Sequence, residues 1–125
     1  MKTAWITGSS SGIGRAMAME FNRHGYFTIL SARRAEVLGE VQHQLPHPEN
    51  SAVLVLDLSL YKEADQWTQQ ALSHTGQIDI LVNNGGMGHL GRVVEMALDV
   101  EKKVMQTNFW GTAALTKAMV PVMLE

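Results

Sequence analysis

The chain has 125 residues, 46% of them hydrophobic, and a formal net charge of −2 with a pI near 6.2. That balance suits one globular domain burying roughly two-thirds of its unfolded surface; it excludes a disordered or fibrous chain and offers no basic field for nucleic acid or an anionic membrane, leaving a small molecule as the expected partner. No cysteine is present to build a disulfide framework or a thiolate metal site, no apolar run reaches the roughly 18 residues of a membrane-spanning helix, and "MKTAWITG" lacks the apolar segment of a secretion signal, so the expected compartment is the cytoplasm.

Short aliphatic runs alternate with stretches of helical period, the pattern of βα units around a parallel sheet. "TAWIT" (3–7) is the first expected strand, and Gly12 to His24 a helix with Ile13, Met17 and Phe21 on its inward face, stopped by Gly25. "YFTILSA" (26–32) is the second strand, followed by a helix over Arg34 to Leu45 that turns Leu38, Val41 and Leu45 inward and ends at Pro46 and Pro48. His43 and His47, in the loop "HQLPHPEN" (43–50), are expected to face water rather than a metal.

"SAVLVLDL" (51–58), apolar at consecutive positions, reads as a strand covered on both faces, with Ser59 as N-cap of the next helix (60–75). "IDILVNN" (78–84) is the fourth strand. After a glycine-rich loop a long helix is expected from near Asp99 to the end, keeping Val104, Gly111, Leu115 and Met119 on one face and kinked at Pro121.

The richest local signal is "TGSSSGIG" (7–14), placed between the first strand and the first helix. There Gly8 permits a tight turn, Gly12 a close backbone approach, and Gly14 close packing of helix on sheet. The free N–H groups and positive dipole end of the helix then form an anion site, to which Ser9, Ser10 and Ser11 add hydroxyl donors. The alternative is an ordinary serine-capped turn; the position between strand and helix is what favours a dinucleotide fingerprint. No Gly-Lys pair exists anywhere, which excludes the nucleotide triphosphate loop built on that pair.

Dinucleotide sites carry an acidic residue about 20 positions beyond the glycines to hold the adenosine ribose. Here that place reads "SARRAE", and Arg33 with Arg34 would instead attract the 2′-phosphate of NADP(H) through charge-assisted bonds. Two solvated arginines are the competing reading, although cations at a helix start oppose its dipole. Arg15 is either a further phosphate contact or a surface charge.

With these residues in place the sequence resembles the short-chain dehydrogenases/reductases, through motifs spread along the whole chain. Thr7-Gly8-x-x-x-Gly12-Ile13-Gly14 is similar to that family's fingerprint; Asp57-Leu58 resembles its adenine-contacting pair; "NNGG" (83–86) resembles its Asn-Asn-Ala-Gly segment, with Gly85 in the place of alanine; and "QTNFWG" (106–111) resembles the helix segment bearing its catalytic asparagine, here Asn108. Asp57 can either accept from the adenine amino group or cap the next helix. Asn83 and Asn84 can tie neighbouring strands, while Gly85 and Gly86 let backbone lie against the nicotinamide ribose. Asn108, in mid-helix beside Phe109 and Trp110, requires a partner for its amide.

The resemblance implies a Rossmann-like doubly wound parallel sheet of strand order 3-2-1-4 within a single domain, and NADP(H)-dependent hydride transfer to or from a carbonyl or alcohol substrate. It also implies a serine and a Tyr-x-x-x-Lys pair, and this chain does not contain the pair: Tyr26 and Tyr61 are followed four positions on by Leu30 and Asp65. The expectation is therefore the cofactor-binding part of a reductase, truncated before its fifth strand, inactive alone and self-associating through its long C-terminal helix. The alternatives are a non-catalytic dinucleotide-binding or regulatory module and a nonfunctional truncated product. The loop "MGHLGRVVEM" (87–96) would border the pocket, with His89 solvated.

Overall fold

In the computed structural model, which describes residues 1–125, four parallel strands lie in the order β3-β2-β1-β4. They are β1 (Thr3–Thr7), β2 (Phe27–Ser31), β3 (Ser51–Val53) and β4 (Ile80–Val82), and they alternate with α1 (Gly12–Arg23), α2 (Ala35–Gln44) and α3 (Ala64–Thr75). The expected Rossmann-like architecture and order are therefore present. Beyond β4 come α4 (Leu98–Met105), a π-helical segment over Gln106–Gly111, and α5 (Thr112–Met123).

The alternation of side chains along the strands divides the core in two. Trp5 and Ile29 point to one face, where they meet Trp67 and Ala71 of α3 and Leu115 and Met119 of α5. Ala4, Ile6 and Leu30 point to the other, against Ala18 of α1 and Leu38 and Val41 of α2. Each fully buried large aliphatic side chain here contributes about 1.5–3 kcal/mol. The indole N–H of the buried Trp5 donates to Ser31 Oγ at 2.8 Å, so the ring enters the core without an unpaired polar atom.

Five details differ from the sequence reading. On α1 the residues buried against the sheet are Gly14, Ala18 and Asn22, whereas Ile13 is 73% exposed and Met17 and Phe21 are only half-buried. The small residues win that face because they let helix and sheet approach closely, and Asn22 is satisfied there by His47 N–H, His47 C=O and Asn50 C=O. The third strand ends at Val53 rather than residue 58. Because β2 stops at Ser31, the chain beyond keeps only the bonds from Leu54 and Leu56 N–H to Leu30 and Ala32 C=O, and Val55 on the outer edge is exposed.

Ser59 does not cap a helix. It donates both N–H and Oγ–H to Asp57 Oδ1, at 2.9 and 2.7 Å, and α3 begins only at Ala64, after a 3₁₀ turn over Tyr61–Glu63. The fourth strand is likewise shorter than 78–84, since Asn83 and Asn84 leave the ladder for side-chain work described below. The long helix starts at Leu98 and is divided by the π-helical turn, and Pro121 lies inside its second part. Gly25 ends α1 as expected, with φ +88° and the paired bonds Tyr26 N–H to Phe21 C=O and Gly25 N–H to Asn22 C=O.

Candidate functional site

The strand order reverses direction between β1 and β4, and a cleft of about 250 Å³ opens there at the carboxyl ends of the strands. Its walls come from the turn after β1 (Thr7, Gly8, Ser10, Ser11), the end of β2 (Ala32, Arg33, Arg34), the segment after β3 (Leu56, Asp57, Leu58), the turn after β4 (Asn84, Gly85, Gly86, Met87), and Thr107.

The glycine turn is held from below. Ser9 is fully buried and donates its N–H and, at 3.4 Å, its hydroxyl to Ser31 C=O, so this serine anchors the turn to β2 and does not face the cleft. Gly8 has φ +66°, and a Cβ there would sit 2.9 Å from Asn84 Nδ2. Gly14 is packed more tightly still: a Cβ would fall inside van der Waals contact of Gly8 O and Asn84 Nδ2. Gly12 differs from its expected role, because a Cβ there would meet nothing within 4 Å; its requirement is the left-handed φ of +57° that turns the chain into the helix.

Ser11 is the residue before α1, extended and without a side-chain cap bond, and the first amide to find a carbonyl of the turn is Arg15 N–H, on Ser11 C=O at 3.2 Å. The N–H groups of Gly12, Ile13 and Gly14 thus stay without intrahelical partners, the arrangement in which a helix start attracts an anion. Gly12, Ile13 and Gly14 do not themselves line the cleft; Ser10 and Ser11, just before them, do.

Opposite, Thr7 Oγ1 accepts from Asn84 N–H at 3.1 Å and Gly85 N–H at 2.8 Å and donates to Val82 C=O. One hydroxyl therefore fixes the turn after β4 against β1. Asn84 Nδ2 returns a bond to Gly8 C=O at 3.2 Å, and Asn83 Nδ2 reaches Thr116 Oγ1 of α5 at 3.0 Å. Gly85, where the family pattern has alanine, faces Leu58: a Cβ there would lie 2.6 Å from Leu58 Cδ1.

Charge in the cleft comes from three groups. Arg33 and Arg34 are exposed at its rim and neither is paired with a carboxylate. Asp57 spends one oxygen on Ser59 and still lines the wall. Arg15 bonds Gln44 at the far end of α2 and so points away. Asn108 is not part of the wall: its amide closes on Met87, accepting from Met87 N–H and donating to Met87 C=O, both at 2.7 Å. Ala32, Leu56 and Thr107 were not anticipated as cleft residues, whereas Met87 opens the loop expected to border the pocket; Leu56 and Thr107 sit one position before Asp57 and Asn108, which was the available signal.

A family model described as short chain dehydrogenase matches residues 2–125. The chain belongs to the short-chain dehydrogenase family. Among the relatives of this short-chain dehydrogenase is dehydrogenase/reductase SDR family member 7 of Mus musculus, 40% identical over 126 residues that cover 97% of this chain and 37% of the relative. Of solved structures, a metagenomic short-chain oxidoreductase in complex with NADP superposes with a TM-score of 0.91 at 28% identity, over 98% of this chain and 57% of that one. L-sorbose reductase from Gluconobacter frateurii, complexed with NADPH and L-sorbose, gives 0.86 at 33% identity, over 98% and 47%. The chain spans about two fifths of the length of the curated relatives it matches. No helix is long and apolar enough to cross a membrane.

Proposed function

We propose that this chain is the NADP(H)-binding part of a short-chain oxidoreductase that moves a hydride between the nicotinamide and a carbonyl or alcohol carbon. The observation that carries the reading is that Ser10 and Ser11, which lead into the unpartnered amides of the helix start, line one cleft together with Arg33 and Arg34, neither of them paired with a carboxylate. The amides fit a pyrophosphate, and Arg33 with Arg34 fit the further phosphate on the adenosine ribose. Asp57, Leu58, Leu56 and Ala32 form the adenine end, and Asn84, Gly85, Gly86 and Met87 the nicotinamide end.

The bound nucleotide supplies or accepts the hydride. The accompanying proton needs a donor within hydrogen-bond reach of the substrate oxygen, and neither tyrosine of this chain lines the cleft. Tyr26 lies edge-on to Phe21, and Tyr61 packs beside Trp110 at 6.3 Å. The chain's own residues bind and orient the nucleotide, and Asn108 holds the strap at Met87 beside it. That absence also favours the second reading, a dinucleotide-binding module without redox chemistry, and on either reading the 125-residue chain alone reduces no ketone. Exposed Phe109 and Trp110 support self-association through the long helix.

Calorimetric titration with NADPH and NADH tests the cofactor assignment. The wild-type chain binds NADPH more tightly, and the double variant Arg33→Ala, Arg34→Ala loses roughly 10- to 150-fold of NADPH affinity, the equivalent of about 1.5–3 kcal/mol, while NADH binding is unchanged. Equal wild-type affinity for both nucleotides overturns the assignment. Turnover of ketones by the chain alone overturns the inactivity.

A further inference from the structure

Asp57 stands just past β3, where the chain keeps the alternation of a strand: Leu56 and Leu58 enter the larger core, and Asp57 between them turns the other way, half-buried in the wall of the cleft. Its carboxylate is held by one oxygen only. Oδ1 accepts the N–H of Ser59 at 2.9 Å and the Ser59 hydroxyl at 2.7 Å, and Leu60 N–H closes the same turn on Asp57 C=O at 2.9 Å. Oδ2 accepts from no group of the protein, no cationic side chain pairs with the carboxylate, and the atom is not sealed in the interior. Ser59 itself does not line the cleft.

An ionised carboxylate only accepts hydrogen bonds. With Oδ1 committed to two donors of one residue, the group cannot turn without giving up both, so Oδ2 is offered to the cleft in a fixed direction. Such an oxygen takes an N–H and repels a carbonyl, and it disfavours a ligand edge that lacks the donor, because the site's polar group is then left unpaired. Among purines this separates adenine, with an amino group at C6, from hypoxanthine, with a carbonyl there. We infer that Ser59 is a positioning residue that locks the Asp57 carboxylate and thereby makes the cleft select an amino-bearing base over a keto base. The inference rests on the reading of the cleft as a dinucleotide site with its base at Asp57. One consequence is specific to the double bond from Ser59: in Asp57→Asn the amide oxygen stays on the two Ser59 donors, and the NH₂ group faces the base, a donor in place of an acceptor at unchanged shape.

The chain is titrated calorimetrically with NADPH and with its hypoxanthine analogue, reduced nicotinamide hypoxanthine dinucleotide phosphate, and each variant is checked by thermal unfolding. The wild type is expected to prefer NADPH by about tenfold or more, the factor that one hydrogen bond to a charged group supplies. Asp57→Asn moves that ratio about tenfold or more toward the hypoxanthine nucleotide. Ser59→Ala, which removes one of the two donors, lowers the wild-type ratio about threefold or more, and Ser59→Thr, which keeps the hydroxyl, restores it. A serine with a merely structural role would change both affinities together and leave their ratio alone. Equal ratios in wild type and Ser59→Ala, with NADPH still bound, overturn the inference and leave the reading of the cleft standing, as does an unmoved ratio in Asp57→Asn. A folded wild-type chain that binds neither nucleotide overturns the reading of the cleft, and the inference with it.

Discussion

Asn108 grips Met87 by both backbone groups, accepting from its N–H and donating to its C=O at 2.7 Å each, across 21 residues of sequence. A backbone N–H and C=O that would pair in a strand are paired here by one amide, in the manner a neighbouring strand would use. The asparagine is thus a clasp between the long helix and the loop over the cleft.

Replacing it by leucine removes both bonds at an exposed position, at a cost of about 1–2 kcal/mol in thermal unfolding. Amide exchange at Met87 then accelerates while exchange in β1 and β2 is unchanged. Asn108→Asp keeps the acceptor for the Met87 N–H but aims its second oxygen at the Met87 carbonyl, so Met87 exchanges faster than in the wild type and more slowly than in the leucine variant. Unchanged protection at Met87 in both variants would show that the clasp does not hold the loop.

Thr7 makes a comparably specific prediction. Thr7→Val preserves shape but leaves the amides of Asn84 and Gly85 without their acceptor, and the loss is about 1–3 kcal/mol. Thr7→Ser restores the hydroxyl and most of the stability, as chemical denaturation of the three proteins will read.

The fingerprint glycines separate by cause. Gly14→Ala drives a methyl into Gly8 O and Asn84 Nδ2, both rigidly placed, and lowers stability by about 3 kcal/mol or more. Gly12→Ala meets no atom and bears only the left-handed backbone penalty, about 1–2 kcal/mol. Equal melting temperatures for the two variants would refute the distinction.

Gly85 stands where the Asn-Asn-Ala-Gly pattern it resembles has alanine, and Leu58 Cδ1 fills the space a methyl would take. Gly85→Ala is therefore destabilising alone and better tolerated with Leu58→Val, which withdraws that carbon. A double-mutant cycle yields a favourable coupling of about 1 kcal/mol; additivity within error would mean that Leu58 simply swings aside.

The helix start at Gly12 and the placement of Arg33 and Arg34 at the cleft were legible in the sequence, because each follows from local chemistry: a glycine-bearing turn, a change of period, a charge at a strand end; the strand order came through the family resemblance instead. The inward face of α1 was not. Hydrophobicity pointed to Ile13, Met17 and Phe21, yet close packing on a sheet rewards small residues, and the buried Asn22 depends on carbonyls 25 and 28 positions away. Ser9 was misassigned for a related reason. Three serines look alike in sequence, and only the geometry of the turn decides which one β2 captures. For Asn108 the need for a partner was readable from its place in mid-helix, whereas the identity of that partner was not.

The π-helical turn at Gln106–Gly111 accommodates one residue more than an α-helical path would. Everything downstream is thereby rotated by roughly 100° relative to an uninterrupted helix. Excising a single residue from this turn would swing Leu115 and Met119 out of the interior and detach Asn108 from its loop in the same stroke. Core alignment and cleft geometry are consequently keyed to one another by a single inserted residue.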